Sequence, residues 1–291
     1  MSSQHSLIER AAEVYDFTAH FRRSASEQVE QFVEPTSAPA FQPVSAHARA
    51  GVAPIDRASL AERGLIVPDA PVSGLAEEVR IVKRQLLLAV RGDAIAEAKR
   101  RSILICSASP GEGKTFCALN LALSLAGESD LEVLLVDGDC AKPELLSILG
   151  IEAGPGLVDA IADAGADPNR FVIDTDIAGL SVLPAGRAAN NVTELLASER
   201  TSDVLARLTA GHPRRIVIFD SPPALMASPA SVLAAKVGQV VMVVRADRTT
   251  EADLREAVNL LSGCDHLKLL LNGASLNVSS RRFGSYYGSG R

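Results

Sequence analysis

The sequence is poor in aromatic residues and cysteine. It has no Trp, 3 Tyr, 8 Phe and 4 Cys in 291 residues. No pair of cysteines has the Cys-x-x-Cys spacing of a zinc or redox site, and no group of histidines accompanies them. We therefore expect free, mostly buried thiols in a reducing environment, and find no support for a disulfide scaffold or a zinc site.

Long apolar runs are also lacking. No stretch approaches the ~18 uninterrupted apolar residues that a membrane-spanning helix needs, and the N-terminal MSSQHSLIERAAEVYDF has no apolar signal region. The formal net charge is -6, which gives no support to nucleic-acid binding. We expect a soluble cytoplasmic chain that binds no nucleic acid and reaches a membrane only through a partner.

Composition divides the chain into three segments. Residues 1–73 are rich in Pro, Ala and Ser, as in EPTSAPAFQPVSAHARAGVAP, and are predicted to form a disordered arm. From Ser73 onward, SGLAEEVRIVKRQLLLAV has apolar residues at helical spacing, with Ser73 as the N-cap. We predict a folded domain over residues 74–276 and a flexible tail over residues 277–291.

Short apolar segments alternate with helical ones in this domain. They are SILIC (102–106), EVLLVD (132–137), LSVLP (180–184), RIVIFD (215–220), VVMVV (240–244) and LKLLL (267–271). Nearly continuous apolar strands separated by helices indicate a parallel sheet covered on both faces. The predicted fold class is α/β, with a doubly wound, mostly parallel sheet.

The segment SILICSASPGEGKTFCALNLALSLAG has the strand, loop and helix of a phosphate-binding P-loop. Gly111 and Gly113 allow the loop to point N–H groups inward, and the helix N-terminus attracts phosphate. Lys114 is placed to reach the β- and γ-phosphates, and the Thr115 hydroxyl to hold Mg²⁺. The strict pattern G-x-x-x-x-G-K-[ST] has Gly where this chain has Ala108.

The predicted nucleotide-binding residues extend along the whole loop. They are Ser109, Pro110, Gly111, Glu112, Gly113, Lys114, Thr115 and Phe116. Asn272 follows the last predicted strand, where related P-loop folds place an Asn that contacts the base. An ordinary residue of a strand-end turn explains Asn272 equally well.

Acidic residues follow two of the predicted strands. Asp137 and Asp139 lie at the end of VLLVDGD, and Asp220 ends IVIFD. Ligands of doubly wound sheets bind at the carboxyl ends of the strands. We therefore expect these carboxylates beside the P-loop, as metal ligands or as a base.

These motifs resemble a known family. SASPGEGKT, LLVDGDCAKP and IVIFDSPP are similar to the Walker A, Walker A′ and Walker B motifs of the bacterial tyrosine autokinases of polysaccharide assembly, the BY-kinases. That family belongs to the MinD/ParA-like superfamily of P-loop NTPases, and its P-loop also lacks the first Gly. SPGEGKTF, DGDCAKP, VTELLASE and VIFDSPP look most like the exosortase-associated branch, which works in exopolysaccharide export. The resemblance covers residues 74–291.

The resemblance implies a non-specific protein-tyrosine kinase that uses ATP and Mg²⁺. Lys114 would stabilise the transferring phosphoryl group, and Thr115, Asp137 and Asp220 would hold Mg²⁺ directly or through water. Asp139 is our candidate for the base, because the resemblance favours Asp137 as the residue nearer the metal. The implied acceptors are Tyr286 and Tyr287 in the C-terminal FGSYYGSGR.

The resemblance also implies assembly. EEVRIVKRQLL is similar to the family's E-x-x-R-x-x-R/K helix of ring-shaped self-association, with Glu77, Arg80 and Lys83 in place. A solvated helix face with i,i+3 pairs is the alternative. The other implied partners are an integral-membrane polysaccharide co-polymerase of the chain-length determinant type, at the inner face of the plasma membrane, and a phosphotyrosine phosphatase.

Two other functions fit the same motifs. A MinD/ParA-like ATPase switch shares the sheet and the motifs, but that class usually carries a second Lys early in the loop, where this chain has Ser109, and it lacks a tyrosine-bearing tail. An ATP-binding scaffold with weak kinase activity also remains open, because tyrosines are sparse.

Overall fold

The computed structural model describes residues 51–92, 94–95, 97–187 and 191–274. The predicted arm before residue 51 and the predicted acceptors Tyr286 and Tyr287 lie outside the described residues. Within the described ranges, no helix is both long and apolar enough to cross a membrane.

One sheet organises the described part of the chain. Its strands are β1 (Ser102–Ser107), β2 (Glu132–Asp137), β3 (Ile173–Asp174), β4 (Leu180–Leu183), β5 (Arg215–Asp220), β6 (Gln239–Arg245) and β7 (Leu267–Asn272). Their order across this 7-stranded sheet is β3-β4-β2-β5-β1-β6-β7, and only β3 pairs antiparallel with its neighbour. The predicted strands and the mostly parallel sheet are confirmed; β3 was not predicted.

Helices cover both faces of this sheet. They are α1 (Arg57–Glu62), α2 (Gly74–Arg91), α3 (Glu97–Arg100), α4 (Lys114–Ala126), α5 (Leu145–Leu149), α6 (Leu157–Ala162), α7 (Val192–Ala197), α8 (Glu199–Thr209), α9 (Pro229–Ala234) and α10 (Glu251–Leu260), with a 3₁₀ turn at Pro168–Phe171. Side chains of α1, α2, α4 and α5 pack on one face, and those of α6 to α10 pack on the other. The prediction of a doubly wound α/β fold is confirmed.

Strand β1 shows how the sequence fills both cores. All of its residues are buried, and successive side chains point to opposite faces of the sheet. Ile103 and Ile105 therefore join one apolar core, while Leu104 and Cys106 join the other. A strand that is buried on both faces in this way must be apolar at nearly every position. The P-loop follows directly from the carboxyl end of this buried strand.

Helix α2 begins where the sequence predicts. The Ala76 N–H donates to Ser73 Oγ at 3.2 Å, which caps the helix N-terminus. Leu86 is 1% exposed, whereas Ile81 and Leu88 are 52% and 60% exposed. One face of α2 therefore packs on the domain, and part of its apolar surface remains accessible.

The predicted boundary at residue 74 is wrong for residues 51–73. Ala53 forms a parallel bridge with Thr175, and the Arg57 guanidinium lies 2.5 Å from an Asp176 carboxylate oxygen. Apolar side chains of this segment enter the core, at 4%, 0% and 7% exposure for Ile55, Leu60 and Leu65. The high proline content led us to predict disorder, but these side chains bury enough apolar surface to anchor the segment.

Candidate active site

The P-loop connects β1 to α4 and requires glycine at two positions. Gly111 and Gly113 have φ angles of 76° and 96°, in the left-handed region. A Cβ atom on Gly111 would lie 2.8 Å from Arg248 Nη1, and one on Gly113 would lie 2.2 Å from Asn272 Nδ2. Both glycines are therefore needed for the backbone angle and for the close approach of other side chains.

Ala108 replaces the first Gly of the usual pattern without strain. Among the described non-Gly residues, only Asp69 has a positive φ, so the backbone at Ala108 suits any residue. Its methyl group is 0% exposed and belongs to one apolar core, and its carbonyl accepts from Leu225 N at 3.2 Å. Packing against the core thus explains why Ala is accommodated here.

Three residues, Glu112 of the loop itself with Thr249 and Asn272 from other parts of the chain, hold the loop in place, and we call them the P-loop brace. The Glu112 side chain is 1% exposed, and its carboxylate accepts from Ser109 N at 2.9 Å and from Thr249 Oγ1 at 2.5 Å. Asn272 Nδ2 donates to the Glu112 carbonyl at 2.9 Å. Both predicted nucleotide ligands, Glu112 and Asn272, thus use their side chains to fix the loop.

Other predicted loop ligands differ in what they can offer. Pro110 has no N–H group, and the Phe116 side chain packs against an apolar core. Phe116 nevertheless lies in the first turn of α4, where backbone N–H groups have no partner within the helix. The backbone therefore supplies most of the donors available to an anion at this loop.

Asp137 and Asp220 lie side by side at the carboxyl ends of neighbouring strands. They are paired in the register of β2 and β5, and Gly138 N donates to the Asp220 carbonyl at 2.7 Å. Their side chains belong to residues that are 0% and 2% exposed. Asp137 Oδ2 and Asp220 Oδ1 are buried without a hydrogen-bond partner, which is a costly state for a carboxylate unless a cation or proton joins it.

Burial changes the acidity of both groups. It raises the pKa of Asp137 to about 7, with a further contribution from the Asp220 carboxylate, although hydrogen bonds from backbone N–H groups oppose the shift. Burial also raises the pKa of Asp220 to about 6, while the Lys114 ammonium and the Thr115 hydroxyl pull it down. The pair is therefore poised to bind a cation near neutral pH.

Lys114 and Asp139 complete the cluster. Lys114 Nζ lies 3.2 Å from Asp139 Oδ2 and 3.4 Å from Thr115 Oγ1. The backbone N–H of Asp139 donates to Asp137 Oδ1 at 3.2 Å, which holds the Asp137 carboxylate against the turn that carries Asp139. The structure thus brings Lys114, Thr115, Asp137, Asp139 and Asp220 together, as the motifs predict.

The donor set fits Mg²⁺. Thr115, Asp137 and Asp220 would hold it, since a hydroxyl and carboxylate oxygens are its preferred ligands. In the described ranges, no group of three or more His, Cys, Asp or Glu side chains is placed to hold a metal alone. Mg²⁺ commonly takes one or two carboxylates and completes its coordination with substrate phosphates and water, so this partial set is sufficient.

The cysteines are free thiols, as expected. Cys106, Cys117 and Cys264 are buried, and Cys140 is half-buried next to Asp139. Burial raises the pKa of Cys106, Cys117 and Cys140 to about 12, with nearby carboxylates adding to the effect. These thiols stay protonated near neutral pH and are poor nucleophiles.

The predicted self-association residues on α2 differ in their surroundings. Glu77 and Arg80 form an i,i+3 ion pair at 2.5 Å and are partly exposed. Lys83 is 7% exposed, donates to the Ser124 carbonyl at 2.9 Å and lies 2.5 Å from Glu128 Oε1. Lys83 therefore ties α2 to the end of α4 within one subunit, whereas Glu77 and Arg80 are accessible to a neighbour.

Comparison with known proteins decides the family. Over 236 residues the chain is 29% identical to the tyrosine-protein kinase YwqD of Bacillus subtilis (strain 168), which covers 80% of this chain and 95% of YwqD. The solved VpsO kinase domain is 30% identical, and the match covers 66% of this chain and 97% of that domain with a TM-score of 0.52. The chain belongs to the bacterial tyrosine kinase family. No family model matches it.

Membership in the bacterial tyrosine kinases confirms the resemblance deduced from the Walker motifs. The exosortase-associated branch stays a prediction. The chain spans 28% of the length of its relative EpsB from Ralstonia nicotianae (strain ATCC BAA-1114 / GMI1000), to which it is 29% identical over 225 residues. It thus corresponds to a small part of some relatives and to nearly all of others.

Sequence reasoning missed one part of this candidate site. The turn Arg245–Thr249 follows β6 and contacts the P-loop through Thr249 and Arg248. The available signal was its position, because β6 neighbours β1 and ends at the same edge of the sheet as the predicted aspartates.

Proposed function

We propose that this protein transfers the γ-phosphoryl group of ATP to tyrosine hydroxyl groups in a Mg²⁺-dependent reaction. One observation carries the proposal: the P-loop lysine is paired with Asp139 and acts on Asp220, and the buried Asp137 and Asp220 each have a carboxylate oxygen without a partner. An anionic nucleotide with its cation fits such a site, since the loop offers N–H groups and the carboxylates offer oxygen ligands.

The residues of the site have different proposed roles in phosphoryl transfer. The loop N–H groups and the Lys114 ammonium bind the phosphates and stabilise charge on the transferring group. Mg²⁺, when bound, would neutralise part of the phosphate charge. Thr115, Asp137 and Asp220 would hold that cation, and both carboxylates are buried.

Asp139 is the proposed base. Its Oδ2 is paired with Lys114 Nζ at 3.2 Å, so movement of Lys114 onto the phosphates exposes this carboxylate oxygen to a tyrosine hydroxyl. The phenol oxygen then forms a bond to the γ-phosphorus, the bond from that phosphorus to the bridging oxygen of ADP breaks, and the phenol proton passes to Asp139. Without assistance, ionising a tyrosine at pH 7 costs roughly 4 kcal/mol, which a nearby base offsets.

Tyr286 and Tyr287 are the proposed acceptors. They lie in the Gly- and Ser-rich sequence that follows the last strand, and the proposal is that a neighbouring subunit phosphorylates them. Each phosphorylation would add about -1.5 to -2 charges beside arginines of the tail. That change would weaken an assembly held by charged contacts.

The decisive test combines phosphotyrosine detection and mass spectrometry on full-length protein incubated with Mg-ATP. Lys114→Met should abolish phosphate on Tyr286 and Tyr287, whereas Lys99→Met, which changes an exposed lysine on α3, should leave it unchanged. Asp139→Asn should lower the transfer rate by roughly 100-fold or more while nucleotide binding persists.

The other candidate functions give different results in the same assay. Phosphate release without phosphotyrosine would contradict the kinase proposal and favour an ATPase switch. Nucleotide binding without either product would favour a scaffold. A tail that stays unmodified in protein that phosphorylates an added tyrosine peptide would contradict only the assignment of Tyr286 and Tyr287.

The proposed assembly is a homo-oligomeric ring in which Glu77 and Arg80 contact a neighbour. Arg80→Ala should then reduce self-association without changing the melting temperature of the subunit. Lys83→Ala should instead lower the melting temperature, since Lys83 joins α2 to α4 inside the subunit. Light scattering and calorimetry separate the two effects, and equal self-association of Arg80→Ala and wild type would contradict this interface.

The proposed setting is exopolysaccharide polymerisation and export at the inner face of the plasma membrane. There an integral-membrane co-polymerase would activate the kinase, and a phosphotyrosine phosphatase would reverse its action. The support is membership in the bacterial tyrosine kinase family. Deletion of the gene should alter polymer length or amount, and Lys114→Met should reproduce that change.

A further inference from the structure

The turn after β6, residues Arg245–Thr249, is a rigid unit. The N–H groups of Arg248 and Thr249 both donate to the Arg245 carbonyl, at 3.1 and 2.9 Å. The Arg245 N–H in return donates to Thr249 Oγ1 at 2.8 Å. Ala246 N donates to the Asn272 carbonyl at 3.0 Å, so the turn is also tied to the end of β7.

The P-loop brace attaches this turn to the P-loop. Thr249 Oγ1 donates to Glu112 Oε1 at 2.5 Å, and the second oxygen of the same buried carboxylate accepts from Ser109 N at 2.9 Å. Asn272 reaches the Glu112 carbonyl from the other side. Hydrogen bonds from two sides therefore join the turn and the end of β7 to the loop.

Arg248 is held against the loop as a result. Its Nη1 lies 2.8 Å from the position that a Cβ atom on Gly111 would take, with Cζ at 3.6 Å and Nη2 at 3.9 Å. The neighbouring Asp247 carboxylate is paired with Arg245 at 3.1 Å, and Arg248 contributes only a weaker electrostatic attraction to it. The Arg248 guanidinium therefore lies against the P-loop. In the part of the chain that the structure describes, it makes no hydrogen bond or ion pair.

The charges around the loop favour a further cation there. The Glu112 carboxylate places a negative charge inside the loop, and the Lys114 ammonium is shared with Asp139. Nucleotide phosphates add several more negative charges at this position. A guanidinium has planar, paired donors that match phosphate oxygens and keeps its charge at any ordinary pH.

We propose that Arg248 is a nucleotide-contacting residue, which the Glu112–Thr249 contact holds over Gly111 and which binds phosphate oxygens beside Lys114. This inference rests on the proposed nucleotide-binding function and adds a cation from outside the Walker motifs. Thr249 is a positioning residue for it. The predicted site thus extends from the carboxyl ends of β1, β2 and β5 to that of β6.

Calorimetric titration of full-length protein with Mg-ADP tests the inference. Arg248→Gln keeps side-chain bulk over Gly111 but removes the charge, and should weaken Mg-ADP binding by about tenfold, the effect of losing one charge-assisted contact. Arg248→Lys should retain part of the affinity. The matched control is Arg255→Ala on α10, whose exposed guanidinium pairs with Glu251, and it should bind as wild type does.

The outcomes separate failure of the Arg248 inference from failure of the proposed nucleotide-binding function. If wild type does not bind Mg-ADP, the proposed nucleotide function fails before Arg248 is tested. If wild type binds and Arg248→Gln binds equally well, Arg248 only shields the loop and the inference is wrong. Equal losses in Arg248→Gln and Arg255→Ala would show a general charge effect and would also overturn it.

Thr249 supplies a second, independent test. Thr249→Val removes the hydroxyl that joins the turn to Glu112 and should weaken Mg-ADP binding, and Thr249→Ser should restore it. The melting temperature of Arg248→Gln without nucleotide should be close to that of wild type, because its guanidinium makes no hydrogen bond or ion pair among the described residues. A lower melting temperature with unchanged affinity would assign Arg248 a structural role and overturn the proposal.

Discussion

Replacing Asp137 by Asn should change how the stability of the protein depends on pH. The Asp137 side chain is buried, and burial raises its pKa from 3.8 to about 7. The folded protein therefore holds a proton at Asp137, between about pH 4 and pH 7, that the unfolded chain has already released. Raising the pH through this window destabilises the fold, and the stabilising effect of the proton is complete only at lower pH.

The size of the effect follows from the two pKa values. From pH 5 to the folded pKa near 7, each pH unit removes about 1.36 kcal/mol, so the loss by pH 8 is roughly 3 kcal/mol. For a domain of this size, 1 kcal/mol shifts the melting temperature by about 2–4 °C, which gives a fall of roughly 6–12 °C from this residue. Asn at position 137 should remove most of that fall.

Scanning calorimetry at pH 5 and pH 8, with EDTA present, measures the difference. The control is Asp203→Asn, which changes an exposed carboxylate on α8 and should keep the wild-type pH dependence. If the melting temperatures of wild type and Asp137→Asn fall by the same amount between the two pH values, the carboxylate is not a buried, protonated group and the reasoning fails. Added Mg-ADP should stabilise wild type more at pH 8, since the cation competes with the proton.

Two other variants test the P-loop and the N-terminal segment. Gly113→Ala should reduce Mg-ADP affinity by more than about tenfold, because a methyl group there would lie 2.2 Å from a side-chain nitrogen; Gly64→Ala has a similar φ and open space, and should leave affinity unchanged in the same titration. Leu60→Ala should cost roughly 2–5 kcal/mol in denaturant unfolding because it leaves a core cavity. Val52→Ala, at 63% exposure, should cost little, and an equal small loss in both would contradict core packing of this segment.

Much of the fold was predictable because its signals are local. A buried parallel strand must be apolar on both faces, and segments such as RIVIFD have no other good explanation. The Walker motifs are local too, and the carboxyl ends of β2, β5 and β1 then bring Asp137, Asp220 and the P-loop together. Sequence alone therefore placed the carboxylates of the candidate site.

The unpredicted parts depend on distant contacts. The short strand β3 exists through pairing with β4, and helix α1 is stabilised by burial of Leu60, although the composition around it resembles a linker. Likewise, Glu112 was expected to face nucleotide, but its carboxylate binds Thr249, 137 residues away in the chain. Local composition contains no information about such partners.

The bridge between Ala53 and Thr175 covers the outer side of β3. An uncovered edge strand offers unpaired N–H and C=O groups to other chains and promotes aggregation. A fragment cut at residue 74, where composition alone would place the start of the domain, would lose this cover and also leave a hole where Leu60 packs. The apparently minimal kinase domain would therefore be the less soluble one, and recombinant production should begin before Ala53.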